Sequence, residues 1–170
     1  MIKSIHGRYF KKGNIVIGRI EMATFEEVQP LWSEQLWQGR KSPIHPVSSL
    51  MPDFTYNLEI YNSAKPIFVK CLYDKRIIAV NSGFQTSLTH YRSRGLWVDK
   101  NFRNQGIGNR LLAIIEEQAK KQGCTTLWSL PRESSLPAYL KAGFHKHHIV
   151  PKILMEFGPN WLAMKNISDS

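Results

Sequence analysis

The sequence predicts an α/β domain in which a β-sheet of about seven strands is flanked by helices. Short runs rich in apolar and β-branched residues predict strands at 14–22, 66–73, 76–87, 91–98, 124–130, 145–150 and 153–157. Apolar residues at helical spacing predict helices at 24–37, 107–122 and 135–142. The segment 38–57 has three prolines and is expected to be irregular. Strands and helices therefore follow one another through most of the chain, which is typical of a sheet covered by helices.

Capping and turn residues mark the elements in the first half of the chain. Thr24 is a suitable N-cap for the first helix, and Glu26 and Glu27 place negative charge in its first turn. Asp74 and Lys75 predict the turn of a hairpin between the second and third strands. These signals give the order strand, helix, irregular segment and three strands.

The second half contains two helices that are each followed by strand segments. The longer helix has an apolar stripe made of Ile107, Leu111, Ile114 and Ile115. Gly123 is placed to end this helix. In the shorter helix, Ser134 or Ser135 is the expected N-cap, and Pro137 is tolerated in the first turn. We expect a single domain over residues 1–157 and a polar, frayed C-terminal tail over residues 158–170.

Composition limits the class of protein. The chain has 170 residues, of which 42% are hydrophobic and 21% are charged, as in soluble globular proteins. No stretch approaches the ~18–20 consecutive apolar residues of a membrane span, and the N-terminus lacks the apolar core of a secretion signal. Cys71 and Cys124 fall in predicted strands, where small core residues are expected rather than a disulfide. We therefore expect a cytoplasmic protein.

A glycine-containing loop between a strand and a helix predicts an anion-binding site. The fourth strand ends at Val98, the helix begins near Ile107, and Gly106 and Gly108 lie at the transition. The first N–H groups of a helix have no intrahelical partners, and the helix dipole adds positive potential there. Because glycine lets an anion approach the backbone closely, this loop is suited to a phosphate.

The spacing of the loop residues indicates which class of phosphate ligand the loop would bind. A P-loop needs a Lys-Ser or Lys-Thr pair that is absent here, and a dinucleotide fingerprint needs a glycine where the chain has Leu111. The pattern Arg-x-x-Gly-x-Gly at Arg103, Gly106 and Gly108 resembles the acyl-CoA pyrophosphate loop of the GNAT acyltransferase superfamily. Downstream, the segment 139–144 reads Tyr-Leu-Lys-Ala-Gly-Phe and resembles that superfamily's Tyr-x-Lys-x-Gly-Phe signature. With both motifs in order, the chain is identified as a member.

The resemblance implies a GNAT-like fold with a central, twisted, mixed β-sheet, and it implies acetyl-CoA as co-substrate with no metal. In that superfamily the fourth and fifth core strands separate, and the pantetheine arm enters the gap. The backbone of the fourth strand would then bond the acyl carbonyl and the pantetheine amides, while the loop would hold the pyrophosphate. The residues implicated in cofactor binding are Leu96, Trp97, Val98, Arg103, Asn104, Gln105, Gly106, Ile107, Gly108 and Asn109.

The implied reaction moves an acetyl or other short acyl group from acyl-CoA to a primary amine by direct attack. Such an amine has a solution pKa of about 10.4 and must lose a proton first. Tyr139 matches the tyrosine that protonates the departing thiolate in that superfamily, although a helix tyrosine is also an ordinary core residue. Where superfamily members have a glutamate as general base, this chain has Arg92, which stays protonated. A water chain, His90, Asp99 or Glu133 would then have to accept the proton.

Charge and aromatic residues leave the acceptor open. The net charge is +10, yet residues 21–60 have six acids against two bases, which would suit a cationic acceptor. The basic excess also allows acylation of a nucleic-acid-linked amine such as aminoacyl-tRNA, and Arg92 allows a catalytically silent CoA-binding module. The aromatic residues that would line an acceptor pocket, or pack in the core, are Trp32, Trp37, Phe54 and Tyr56.

Two histidines near the end of the chain raise a metal interpretation. His145 and His147 would share one face of a strand, but the sequence offers no evident third ligand nearby, so a solvated strand is the preferred interpretation. The expected partners are therefore an acyl-CoA and an amine acceptor. The expected state is a monomer or a homodimer without a membrane span.

Overall fold

The computed structural model describes residues 8–12 and 15–168 as one sheet with helices packed on it. The strands are β1 (Arg8–Lys12), β2 (Ile15–Ala23), β3 (Ile67–Tyr73), β4 (Arg76–Gln85), β5 (His90–Val98), β6 (Thr126–Ser129), β7 (His145–Ile149) and β8 (Trp161–Asn166). The helices are α1 (Phe25–Leu31), α2 (Ile60–Ser63), α3 (Ile107–Lys121) and α4 (Leu136–Lys141). Shorter pieces are a π-helical turn at Trp32–Leu36 and 3-10 turns at Lys100–Phe102 and Lys152–Leu154.

The sheet is mixed, as the sequence predicts. Its strand order is β1-β2-β3-β4-β5-β6-β8-β7. β5 and β6 are parallel, and every other neighbouring pair in this order is antiparallel. The sheet has eight strands in the described residues. Sequence analysis predicted neither β1, which pairs with β2 at the edge of the sheet, nor a strand at the position of β8.

Helices cover both faces of the sheet. α3 and α4 pack on one face, where Leu111, Ile115 and Tyr139 join Tyr91 of β5 in the largest core cluster. On the other face, α1 and the π-helical turn that continues it bury Trp32, which is 0% exposed. Neighbouring residues of β5 therefore face two different cores.

The local signals at the element ends act as the sequence predicts. Thr24 caps α1 through a capping box with Glu27, in which each side chain bonds the other residue's backbone N–H. Asp74 and Lys75 form the β3–β4 turn with φ values of 48° and 62°. Ser135 occupies the N-cap position of α4, but its side chain makes no capping hydrogen bond.

The elements predicted for the C-terminal part of the chain are wrong. Residues 153–157 were expected to form the last strand, yet Ile153 is 93% exposed and lies in the turn Lys152–Leu154 that follows Pro151. The last strand is β8, which lies inside the region expected to be a frayed tail and pairs with both β6 and β7. Leu162 and Ala163 are 5% and 0% exposed, so burial of these apolar side chains fixes the strand there.

Among the described residues, none of the helices has both the length and the apolar character that crossing a membrane requires.

Candidate functional site: a cleft along strand β5

The predicted phosphate loop lies at the C-terminal end of β5 and leads into α3. Gly106 is the N-cap of α3 and has φ of 81°, a left-handed conformation that favours glycine. The Arg110 N–H donates to the Gly106 carbonyl in the first turn of the helix. The N–H groups of Ile107, Gly108 and Asn109 precede that bond at the positive end of the helix dipole, where an anion is stabilised.

Gly108 leaves space for a ligand beside the loop. A Cβ placed there would meet the side chains of Leu96 and Val98 at 3.8 Å, an ordinary contact, so protein packing does not require glycine. Arg103 supports the loop, since its Nε donates to the Val98 carbonyl at 2.9 Å. A bare backbone next to a supported turn fits a bulky phosphate group.

The other predicted cofactor residues divide by their burial. Arg103, Asn104 and Gln105 are exposed, with Asn104 at a positive φ of 61°. The Ile107 side chain is buried in the core, so this residue presents its backbone to the loop. Trp97 is buried in the core on the α1 side of the sheet. That these residues bind the cofactor stays a prediction.

A β-bulge interrupts β5 between its two ends. Gly95 and Leu96 stand opposite the single residue Asn81 of β4. Gly95 has φ of 76°, and a Cβ there would lie 2.3 Å from the Trp32 ring. The Trp32 Nε1–H donates to the Gly95 carbonyl at 2.8 Å, which holds the bulge in place. Because a bulge takes backbone groups out of the regular ladder, it makes them accessible to a ligand.

β5 and β6 separate beside this bulge. Only the first three residues of β5 pair with β6, from His90 to Arg92. Next along the strand, the Ser129 hydroxyl bonds the Ser93 carbonyl at 2.6 Å. A cavity of about 330 Å³ opens at this end of the gap, and its lining includes the bulge residues. The structure therefore has the separated strands that the family resemblance implies.

Tyr139 of α4 reaches this cavity from the α3 side of the sheet. Its ring packs edge-on against Phe144, with the ring centroids 5.1 Å apart. Its hydroxyl lies 3.2 Å from the Ser129 hydroxyl, within hydrogen-bond distance. Burial raises the pKa of Tyr139 above its usual value, although the bond with Ser129 and the charge of Arg92 act in the opposite direction. The residue is thus both a core aromatic and a protonated hydroxyl at the cavity.

The predicted substitutes for a general base lie elsewhere. The described residues that line the cavity do not include His90, Asp99 or Glu133. The His90 Nδ1 is 2.8 Å from the Thr89 hydroxyl at the start of β5. Asp99 accepts from Arg76 with a 3.3 Å separation beyond the end of β5. Glu133 is exposed.

The aromatic residues suggested for the acceptor pocket also divide. Trp37 and Tyr56 line the cavity. Trp32 and Phe54 pack in two separate core clusters. Sequence reasoning missed Arg94, which lines the cavity beside Arg92. The signal available in the sequence was that Arg92 and Arg94 are two residues apart, which places both side chains on one face of a strand.

The acids of segment 21–60 do not form a negative acceptor site in the structure. Within the described residues, the cavity lining includes none of them. Glu21 and Glu27 pair with Lys70. Asp53 accepts from Thr55 in a turn. These acids therefore give no support to the expectation of a cationic acceptor, which rested on them.

His145 and His147 lie on β7, and both are exposed. Over the part of the chain that the structure describes, no group of three or more potential ligands is close enough together to hold a metal ion.

The comparisons with known proteins agree with this geometry. The family model of the GNAT acetyltransferases matches residues 28–144. Because the match covers more than half of the chain, the protein belongs to the GNAT family of acetyltransferases. No curated protein sequence matches the chain.

Solved structures share the fold at low sequence identity. Ard1 from Thermoplasma volcanium is 16% identical with a TM-score of 0.65, over 91% of this chain and 100% of Ard1. A GNAT-family acetyltransferase from Staphylococcus aureus Mu50 is 18% identical with a TM-score of 0.63, over 89% and 99% of the two chains. An aminoglycoside 6'-N-acetyltransferase, solved with coenzyme A, is 14% identical with a TM-score of 0.62, over 89% and 98%. These likenesses establish the fold.

Proposed function

We propose that the protein is an N-acetyltransferase that moves an acetyl or other short acyl group from acyl-CoA to a primary amine by direct attack. The observation that carries the proposal is the meeting of two features at one cavity. The β5 bulge at Gly95 and Leu96 and the Tyr139 hydroxyl both line it, where β5 and β6 separate. A thioester placed there has backbone groups on one side and a proton donor on the other.

Binding of the acyl-CoA begins at the loop. The N–H groups at the start of α3 would hold the pyrophosphate, and Gly108 gives it room to approach. Support comes from the aminoglycoside acetyltransferase of the same fold, which was solved with coenzyme A. The thioester that this co-substrate supplies is an acyl group activated for attack by an amine.

The transfer forms one bond and breaks one. The amine nitrogen bonds to the acyl carbonyl carbon, and the bond between that carbon and sulfur breaks. Backbone N–H groups at the bulge near Leu96 stabilise the oxyanion, a type of contact whose removal costs about 100-fold in rate. Tyr139 donates its proton to the thiolate and regains one from water, and its raised pKa keeps it protonated at neutral pH.

The proton lost by the amine goes to water in this mechanism. Burial lowers the pKa of Arg92 only to about 10, so Arg92 is protonated at neutral pH and is no base. Glu156 lines the rim of the cavity and is exposed, so the cavity is open to solvent there. Water can therefore reach the reacting nitrogen.

Mass spectrometry with isotope-labelled acetyl-CoA tests the proposal. The full chain is incubated with panels of small amines and peptides, and Gly108→Glu serves as a control that lacks the open loop. We expect labelled N-acetyl product with the wild-type chain and a strongly reduced amount with the control. CoA binding without transfer to any amine would leave a binding module and overturn the proposal.

A further inference from the structure

The part of the cavity away from the phosphate loop is lined by positive charge. Four arginines, Arg40, Arg92, Arg94 and Arg132, and one carboxylate, Glu156, are among the described residues that line it. The carboxylate is exposed at the rim, where it accepts from a backbone N–H at 3.2 Å. Among the described residues, no buried acid lines the cavity to balance these positive charges.

Arg92 and Arg94 are buried to an unusual degree for charged residues, since each is 6% exposed. Arg92 lies over the Trp128 ring at 4.9 Å, and its Nε and Nη1 are buried without a hydrogen-bond partner among the described residues. The Arg94 Nη1 donates to the His45 carbonyl at 2.7 Å. A buried guanidinium with unused N–H groups is normally completed by an anion.

The neighbouring charges make this need stronger. Burial lowers the pKa of Arg94 well below its usual value, and the charges of Arg92 and Arg40 lower it further. Arg132 donates to the Leu36 carbonyl, and its guanidinium lies 5.6 Å from the Phe157 ring centroid. An anion in the cavity would relieve repulsion among these groups and supply the missing acceptor atoms.

The phosphates of the acyl donor do not explain the pair. Gly108 lies next to Leu96 and Val98, at the far end of β5. Arg92 and Arg94 lie six and four residues before Val98, which in an extended strand is roughly 20 and 13 Å. The two ends of the strand therefore serve different groups.

We propose that the acceptor amine carries an anionic oxygen group, a carboxylate or a phosphate, and that Arg92 and Arg94 bind this group. The inference rests on the proposed acetyl transfer and names the class of acceptor. A cavity of about 330 Å³ is of the size that binds small molecules. Guanidinium groups suit both anions because they offer several N–H donors in one plane.

The test compares matched acceptors and matched variants. The common amino acids are each assayed against their amides, phosphoethanolamine against ethanolamine, and putrescine represents cationic amines. Arg92→Met removes the charge at similar length, and Arg92→Lys keeps a charge if the first variant folds poorly. Arg19→Met is the control, because it removes one positive charge from an exposed position on β2.

With wild-type protein, we expect kcat/KM to be about 100-fold or more higher for an anionic acceptor than for its neutral partner, because the neutral partner leaves the buried donors unpaired. Arg92→Met should abolish this preference, chiefly through KM, while Arg19→Met should preserve it. Preference for neutral or cationic amines, unchanged in Arg92→Met, would overturn the inference and leave the proposed acetyl transfer intact.

A binding measurement separates the two proposals. Inorganic phosphate and acetate, at constant ionic strength, should raise the Tm of the wild-type chain and of Arg19→Met more than that of Arg92→Met. If no amine is acetylated but this stabilisation is present, the anion site stands and the transfer fails. If neither transfer nor stabilisation is observed, both proposals are wrong.

Discussion

The two ends of β5 both present positive potential, but they build it in different ways. At the C-terminal end the potential comes from the backbone at the start of α3, with Gly106 and Gly108 close together in sequence. At the other end it comes from the buried side chains of Arg92 and Arg94. Backbone N–H groups remain hydrogen-bond donors that water can satisfy, whereas a buried guanidinium without an acceptor is costly. The difference supports the proposal that the side-chain end binds an anionic group.

The bulge lies between the two ends of β5, so a substitution there is expected to disturb both ends together. Gly95→Ala places a Cβ 2.3 Å from the ring of Trp32, which is fully buried, and it also forces alanine to φ of 76°. We expect a loss of at least about 3 kcal/mol in the free energy of unfolding, from strain plus overpacking. Denaturant unfolding measures it.

Gly39→Ala is the matched control for the bulge. Gly39 has a similar φ of 72°, but a Cβ there meets nothing within 4 Å. Strain alone should cost about 1 kcal/mol. Equal losses for both variants would mean that the Trp32 contact does not hold the bulge.

The phosphate-loop end can be removed by itself. Gly108→Glu adds a side chain and a negative charge where the pyrophosphate would lie, so CoA affinity should fall by about 100-fold or more. Gln122→Glu adds the same charge at the other end of α3 and should change little. Calorimetry measures both, and the Arg92-dependent stabilisation by phosphate should survive in Gly108→Glu. Unchanged CoA affinity in a folded Gly108→Glu variant would rule out this loop as the cofactor site.

In the proposed mechanism, the chemistry between the two ends depends on the Tyr139 hydroxyl. Tyr139→Phe keeps the ring packed against Phe144 and removes the proton donor, so turnover should fall by at least about 10-fold. CoA affinity and Tm should barely change. If Tyr139 is only a core residue, turnover stays constant and the loss of the bond with Ser129 appears as a small change in Tm. Both quantities are measured on the same preparation.

The smallest effect is expected at an ion pair that belongs to neither end. The bond from Lys70 lowers the pKa of the Glu27 carboxyl below its usual 4.5 in the folded protein. Glu27→Gln keeps the oxygen that accepts from the Thr24 N–H but loses the pairing, and the side chain is 36% exposed. We expect less than about 1 kcal/mol of destabilisation at neutral pH.

The pH dependence of this pair follows from the sign of the shift. Since the folded-state pKa is the lower one, the stabilisation is present above pH 4.5 and is lost as pH falls through the folded-state value. Unfolding curves of wild type and Glu27→Gln should therefore converge in acid. A difference that grows in acid would contradict the assigned pairing.

Much of the fold could be predicted because its signals are local. The Thr24 capping box, the Asp74–Lys75 turn and the apolar stripe of α3 each involve residues within one or two turns of chain. The last strand could not be predicted, because 161–166 becomes a strand by inserting between β6 and β7. Ile153 has strand propensity but no partner strand, and propensity is weak without cross-strand packing.

The sequence by itself determined the candidate phosphate loop, the order of most elements and the tyrosine motif. A glycine-dependent turn and a helix start need only neighbouring residues, so their meaning is written in a short stretch of chain. Only the tertiary structure decided the acceptor end of the cleft. Arg92 becomes a buried cation with unpaired N–H groups because β6 places Trp128 against it, and Arg94 is buried because the loop containing His45 covers it and accepts one of its N–H groups. Burial and the lack of an acceptor arise from segments distant in sequence, and they are the observations on which the proposed anion-binding role of Arg92 rests.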